Sequence, residues 1–482
     1  MEKHRMFVNG EWIEAASGDT IPVLNPATEE TAGFIPRGNA KEAELAVEAA
    51  AKAQKNWADL SPVKRAAYLK RVVRRISENK EHFVKLIVKE QGKPLNEAFG
   101  EVDGAIFLLE HAAEWALRIE GDVLPSEREN EQILIMKVPH GVTLGITPWN
   151  YPLAVPARKI GPALVTGNTI VLKPHEATPL SALELTRMFE LEGLPPGVLN
   201  VVTGTGEEIG APLAASPKID FITLTGSVRA GRSVYMNAAC NIASVSLELG
   251  GKAPFIVMDD ADVDSAVKHA VASRMANCGQ VCICNERTYV HEAIYDEFVS
   301  KLAEAMRKLR VGNPLDPATQ LGPKVSREEL DKVHRMVRNA KEAGAEIVLG
   351  GEPLTGGPYD KGYWFPPTLI TNVHQQMEIM REEVFGPVIP IMKFSHFEEA
   401  VSMANDSKYG LSAYLFTNNY RRIMQAIREI DFGEIFINRT GAESFHAFHG
   451  GYRNSGVHGD DGKYGIDAYL KKKTVYLNFS EP

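Results

Sequence analysis

The chain has 482 residues, 44% of them hydrophobic and 24% charged, and carries a formal net charge of −9. Such a composition excludes disordered and fibrous classes, and the length allows two or three domains around a large core. The negative balance disfavours a nucleic-acid partner, no apolar run reaches membrane-spanning length, and the polar start Met1-Glu2-Lys3-His4-Arg5 leads into no signal-type segment, so a cytoplasmic protein without a membrane partner is expected.

Residues 6–15 alternate around Asn9-Gly10, a hairpin signal, and Asn25-Pro26 ends that element. Helices are predicted over 41–57, 62–79 with Ser61-Pro62 as cap and first turn, 81–91 and 94–119. In the second, Tyr68, Leu69, Val72, Val73 and Ile76 form one apolar stripe that reads as core. A short β-rich segment at 132–138 then departs from the main body. From Gly141 the period changes to short apolar strands at 142–146, 169–172, 198–202, 221–224 and 245–247, with helices such as 179–191 and 229–240 between them. That alternation predicts a parallel sheet with helices on both faces.

A second α/β series begins at Phe255, with strands at 255–258 and 288–291 flanking a helix at 262–275, and further strands at 346–349, 388–392, 413–417 and 434–437. The chain ends in an apolar strand at 474–479, an aggregation liability unless paired, which points to sheet extension with another subunit. The basic run Lys471-Lys472-Lys473 just before it reads as a solvated face.

Ligands of open α/β sheets sit beyond the carboxyl ends of the strands. The residues there are Thr147-Pro148-Trp149-Asn150, Lys173-Pro174-His175-Glu176, Thr203-Gly204-Thr205-Gly206, Thr225-Gly226-Ser227 with Gly231, and Glu248-Leu249-Gly250-Gly251. No GxGxxG follows the first strand. Gly226 and Gly231, opening a helix, can still present backbone N–H groups to a pyrophosphate.

Three of the four cysteines, Cys278, Cys282 and Cys284, fall within seven residues between a predicted helix and strand. Structural zinc would want a second cluster, and none exists; a disulfide across one intervening residue would be strained. Two readings remain: small buried hydrophobes, or a nucleophile with an acid–base partner elsewhere in the chain.

The loops form one pattern. Pro148-Trp149-Asn150, Lys173-Pro174-His175-Glu176, Leu247-Glu248-Leu249-Gly250-Gly251-Lys252, Gly279-Gln280-Val281-Cys282 and Glu382-Glu383-Val384-Phe385-Gly386-Pro387 resemble, in order, the motif set of the aldehyde dehydrogenase superfamily. The resemblance covers essentially the whole chain. It implies an α/β fold with a Rossmann-type parallel-sheet cofactor domain (1–119 and 138–250, with 433–464 returning to it), an α/β catalytic domain (251–432) and a small β oligomerisation element (120–137 and 465–482). A homo-oligomer, dimer or tetramer, is implied with it.

The same resemblance makes Cys282 the nucleophile, Asn150 an oxyanion-hole donor with the Cys282 backbone N–H, and Glu248 the base for thioester hydrolysis. Removing one oxyanion donor typically costs about 3–4 kcal/mol of transition-state stabilisation. Glu248 argues for release of a free acid rather than acyl transfer to coenzyme A. For the cofactor it places Ile146, Thr147, Pro148, Trp149, Lys173, Glu176, Gly206, Gly226, Ser227, Leu249, Gly250, Glu383 and Phe385 along the dinucleotide. Glu176 favours NAD, with NADP possible, because a carboxylate accepts ribose hydroxyls and repels a 2′-phosphate.

The tail Phe448-His449-Gly450-Gly451-Tyr452-Arg453-Asn454-Ser455-Gly456, followed by Asp461-Gly462-Lys463-Tyr464-Gly465, is similar to the lactaldehyde/glycolaldehyde dehydrogenase branch. That branch implies a small hydroxyaldehyde held by Arg158, Glu443 and His449, while Ile283 stands where the branch has a polar residue and would admit a more apolar aldehyde. Succinate semialdehyde, with Arg158 on its distal carboxylate, is the alternative substrate. A catalytically silent binding protein is the alternative class. No metal is expected. Cys278 and Cys284 are expected to pack, with one further role open to them: trapping oxidised Cys282 as a reversible disulfide.

Overall fold

The computed structural model describes residues 2–441 and 443–480. Its first sheet runs in the order Gly456–Val457, Ser244–Glu248, Phe221–Thr225, Val142–Ile146, Thr169–Lys173, Leu199–Val201, Met6–Val8, Glu11–Ile13. The five central strands are parallel, as the strand–helix alternation requires, and antiparallel strands close both edges. Chain order reverses between Val142–Ile146 and Phe221–Thr225, and at such a switch point the two flanking crossovers diverge and leave a crevice.

The helices that cover this sheet begin where the sequence supplies caps. Asn39 and Glu42 form a reciprocal capping box at Ala40–Ala58, and Ser61 with Pro62 opens Pro62–Glu78. On the latter, Leu69, Val72, Val73 and Ile76 are buried in the main core, each contributing about 1.5–3 kcal/mol. Leu69→Ala would open a cavity there and cost about 2–5 kcal/mol. The predicted 94–119 helix is shorter, Leu95–Glu114 followed by one 3₁₀ turn at Trp115–Leu117.

The second sheet has the order Glu346–Leu349, Thr368–Thr371, Val388–Phe394, Asn285–His291, Ala253–Val257, Ser412–Phe416, Glu434–Ile437 and is parallel apart from its first strand. Thr368–Thr371 was not anticipated; it is short and buried, with no polar alternation to mark it. One boundary is corrected: Glu434–Ile437 is the edge of this sheet, whereas the sequence reading placed it in the segment returning to the first unit. That return is made later, by Gly456–Val457 pairing with Leu247 and Glu248.

The terminal strand, Leu470–Asn478, is longer than predicted and pairs within its own chain, antiparallel to Glu131–Pro139, which also carries Asp122–Pro125. The expected pairing of this strand through another subunit is therefore met on one edge by the chain itself. Val123, Leu124, Met136, Tyr476, Leu477 and Phe479 remain exposed on this small sheet. No helix among the described residues is long and apolar enough to cross a membrane.

Candidate active site

The loop bearing Cys282 lies between the helix Val263–Met275 and the strand Asn285–His291, as predicted, and its backbone is strained. Asn277, Cys278 and Gly279 are all left-handed, with φ of 48°, 57° and 70°. Two such non-glycine residues cost about 1–3 kcal/mol each and persist only where the surroundings over-determine them. Here they do. The Asn277 backbone N–H donates to Glu97 Oε2 (2.7 Å), its side chain donates to the Asn150 carbonyl (3.1 Å), and Gln280 is held by Asn277 O (2.8 Å) and Val325 N (3.0 Å). Gly279 is required, because a Cβ there would sit 2.2 Å from the Gly386 carbonyl oxygen. The Tyr414 hydroxyl donates to the Ile283 carbonyl just beyond the nucleophile.

Asn150 follows the strand Val142–Ile146. Its Nδ2 donates one hydrogen to the Gln280 carbonyl at 2.9 Å, which aims the amide across the Cys282 loop and leaves the second N–H for a ligand. The Asn150 carbonyl is gripped by Lys93 Nζ (3.0 Å), a fully buried ammonium paired with Glu101. Glu101 in turn caps the start of the helix Ala154–Thr166 through Leu153 N (2.9 Å) and Ala154 N (3.2 Å).

Glu248 ends the strand Ser244–Glu248 and is buried, yet neither side-chain oxygen has a hydrogen-bond partner among the described residues. Burial pushes its carboxyl well above the ordinary range, with His449 pulling the other way from 3.5 Å. Burial likewise raises the Cys282 thiol, and a hydrogen bond from His449 opposes it. The sulfur nonetheless opens on a cavity of about 970 Å³ that Asn150, Arg158, Glu248, Glu443 and His449 also line. The six residues expected to act on the substrate are thus in one place. Ile283 lines the same wall.

Arg158, on the helix Ala154–Thr166, is not free: Nη2 lies 2.7 Å from Glu443 Oε1 and 3.0 Å from Asp461 Oδ2, under the Phe445 ring. Burial would raise Glu443, but Arg158 outweighs it and brings the carboxyl down to about 2; burial lifts Asp461 to about 7 despite the same guanidinium. Asp461, quoted from the sequence only as part of a motif, is the second acid on Arg158. Glu434, which holds His449 Nδ1 at 3.1 Å, was missed, because nothing in a strand-opening glutamate marks a contact fifteen residues away.

Most of the residues expected at a cofactor lie along the carboxyl edge of the first sheet. Ile146 to Trp149, Lys173 with Glu176, Gly206, Gly226 with Ser227, and Leu249 with Gly250 each follow or end one of its five parallel strands. At the switch point, the hydroxyls of Thr147 and Thr225 are buried without a partner among the described residues, and Ser227 caps the helix Val228–Ala238 whose N-terminus faces the same edge. Unpaired donors beside a helix N-terminus fit a pyrophosphate. Lys173 Nζ lies 3.3 Å from Glu176 Oε2, so the expected ribose pair is assembled.

Glu383 and Phe385 reach the crevice from the second unit. Gly251 N donates to Glu383 Oε1 at 2.8 Å, and Gly250 has no Cβ because one would lie 2.5 Å from Glu383 Oε2. The Phe385 ring meets Trp149 edge-on at 5.3 Å. Behind them Glu286, also missed, accepts from Lys252 (2.6 Å), Arg274 (2.7 Å), Val384 N (3.0 Å) and Phe385 N (3.0 Å).

All four cysteines are free thiols. Cys284 does more than pack, since Arg274 Nη1 donates to its sulfur at 2.9 Å. Burial lifts Cys278 to about 12 and Cys284 to about 11, which disfavours the thiolate that trapping an oxidised neighbour would use.

Residues 12–475 match the aldehyde dehydrogenase family. The chain is 46% identical over 479 residues to 3,6-anhydro-alpha-L-galactose dehydrogenase of Vibrio sp. (strain EJY3), covering 99% of this chain and 100% of that protein. It is 45% identical over 476 residues to lactaldehyde dehydrogenase of Escherichia coli (strain K12), with 98% of each covered. A solved structure of 3,6-anhydro-L-galactose dehydrogenase in complex with NAP superposes with a TM-score of 0.98 at 47% identity, covering 99% of this chain and 100% of that one.

Proposed function

Since the chain belongs to the aldehyde dehydrogenase family and is an NAD(P)-dependent dehydrogenase, we propose that it oxidises a short hydroxyaldehyde, of the lactaldehyde or glycolaldehyde type, to the free acid. The observation that carries the substrate class is the state of Arg158. Its charge is answered by Glu443 and Asp461, so a distal substrate carboxylate would meet two acids rather than a free cation. A hydroxyl can both donate to Glu443 and accept from the guanidinium. Sites built this way reject analogues lacking the hydroxyl, because a buried polar group is then left unpaired.

In this reading Cys282 Sγ adds to the aldehyde carbon, and the oxygen takes hydrogen bonds from the second Nδ2–H of Asn150 and the Cys282 backbone N–H. NAD(P), when bound, accepts the hydride that leaves the adduct. Glu248 then takes a proton from the water that cleaves the thioester, a task suited to a carboxyl whose burial raises its affinity for a proton. Glu383 and Phe385, braced by Glu286, bound the crevice on the nicotinamide side, while Lys173 and Glu176 take the adenosine ribose. The division at 250/251 separates these two units, the reading assigns the three-stranded sheet to subunit contact, and the setting is the cytoplasm. Size-exclusion with light scattering reads the oligomer.

Steady-state rates of reduced-cofactor formation with lactaldehyde, glycolaldehyde and succinate semialdehyde test the substrate class. A kcat/KM for one hydroxyaldehyde at least about 10²-fold above that for succinate semialdehyde is expected. The reverse preference sinks the reading. Cys282→Ala should abolish the signal with every aldehyde.

A further inference from the structure

The reactive sulfur has an imidazole beside it, and that imidazole is fixed from behind. His449 is buried, lines the same cavity as Cys282, and is the group that works against the burial of that thiol. Its Nδ1 is 3.1 Å from Glu434 Oε1, and the other oxygen of Glu434 accepts from Ser412 Oγ at 2.8 Å. With Nδ1 engaged by Glu434, Nε2 is left for the sulfur and for Glu248 Oε2 at 3.5 Å. The backbone is equally fixed, since His449 and Asp460 exchange both N–H···O bonds, at 3.0 and 2.8 Å. A nucleophile and an imidazole on one cavity, with a carboxylate holding the far ring nitrogen, are the groups by which a thiol is activated and its base kept in one tautomer.

We propose that His449 is the base that activates Cys282, that Glu434 is the residue positioning this imidazole, and that Glu248 is thereby left to serve hydrolysis alone. The proposal takes Cys282 as the nucleophile of the reaction proposed above. His449 Nε2 removes the proton from Sγ. The S–H electron pair stays on sulfur and forms the C–S bond, while the carbonyl π pair moves to the oxygen facing Asn150. Glu434 holds the imidazolium through Nδ1–H, and the proton returns to sulfur when hydrolysis releases the thiolate.

The charged groups facing His449 are consistent with this assignment. Glu248, Glu434 and the Cys282 sulfur surround the ring and favour its protonated form, against burial. Glu443 and Asp461 also feel its charge, with Arg158 between them, and the Asp460 side chain is neutralised by Lys159 at 2.6 Å.

The test is the pH dependence of Cys282 alkylation by iodoacetamide in the full-length protein without cofactor or aldehyde, read by mass spectrometry of the Cys282 peptide. His449→Asn should raise the midpoint by about one to three pH units, since a cation within reach of the sulfur is lost. Glu434→Gln should raise it by less, and Glu434→Asp should return it toward the parent. In Glu434→Gln the loss of kcat/KM should be larger at pH 6 than at pH 9, whereas a packing defect would lower both alike. Midpoints unmoved or lowered in His449→Asn and Glu434→Gln, with melting temperatures near the parent, overturn the proposal. So does a larger upward shift in Glu248→Gln than in His449→Asn. If His449→Asn does not fold, His449→Gln, which keeps the length and a donor, is read in its place. Alkylation requires no aldehyde, so a failed substrate panel and a flat alkylation profile are separate results.

Discussion

Glu248 and Glu286 are both glutamates at strand ends and both buried, one in the first sheet and one in the second. Glu286 receives two cations and two backbone N–H groups, and although burial works against it, its carboxyl falls to about 2. Glu248 receives no hydrogen bond among the described residues, and burial lifts it. The difference separates framework from chemistry. A carboxylate whose lone pairs are all used holds a loop in place and cannot take a proton from water. One left unsatisfied is costly to bury, and that cost raises its affinity for a proton, which is what a base needs.

The sharpest way to break the contrast is Glu286→Ala. It strands Lys252 and Arg274 without a counter-charge and should cost about 3–5 kcal/mol in denaturant unfolding, with activity falling as Phe385 loses its anchor. Loss of under about 1 kcal/mol would mean that the cluster is no scaffold. Glu248→Gln should behave oppositely, leaving stability unchanged or slightly raised, because it removes a buried carboxyl that receives no hydrogen bond among the described residues. The smallest effect is in pH. Glu286 lies below its ordinary value of 4.5, so its stabilisation is present above that value and is lost as pH falls toward 2. Glu248 lies above the same value, so its contribution is present below it and is lost as pH rises through the folded-state pKa. Unfolding of the parent and of Glu248→Gln should therefore diverge, in favour of the variant, as pH rises above the ordinary value of 4.5.

The part of this that was legible in the sequence was the part written locally. Period-2 runs gave the five parallel strands to within a residue or two, and Ser61-Pro62 gave a helix start, because caps and alternation act within a few residues. Asn150 and Glu248 were singled out by motifs at strand ends, where the fold presents side chains to a ligand, and Cys282 by three cysteines falling within seven residues of one loop. Glu434, Glu286 and the Arg158–Asp461 pair were not, since each acquires its role from a partner brought close only by the packed fold, and a buried glutamate looks like an exposed one until its neighbours are known. The terminal strand was seen, but its partner at Glu131–Pro139 lies more than 300 residues away, and pairing within the chain left no sequence mark different from pairing between chains.

The most direct test of the account is a stopped-flow experiment on Glu248→Gln with saturating cofactor and the best aldehyde of the panel. The account predicts a rapid burst of one equivalent of reduced cofactor per Cys282, as the thioester forms, followed by turnover slowed about 10²–10⁴-fold for want of the hydrolytic base. Linear turnover at the parental rate without a burst, or no reduced cofactor at all, would contradict it.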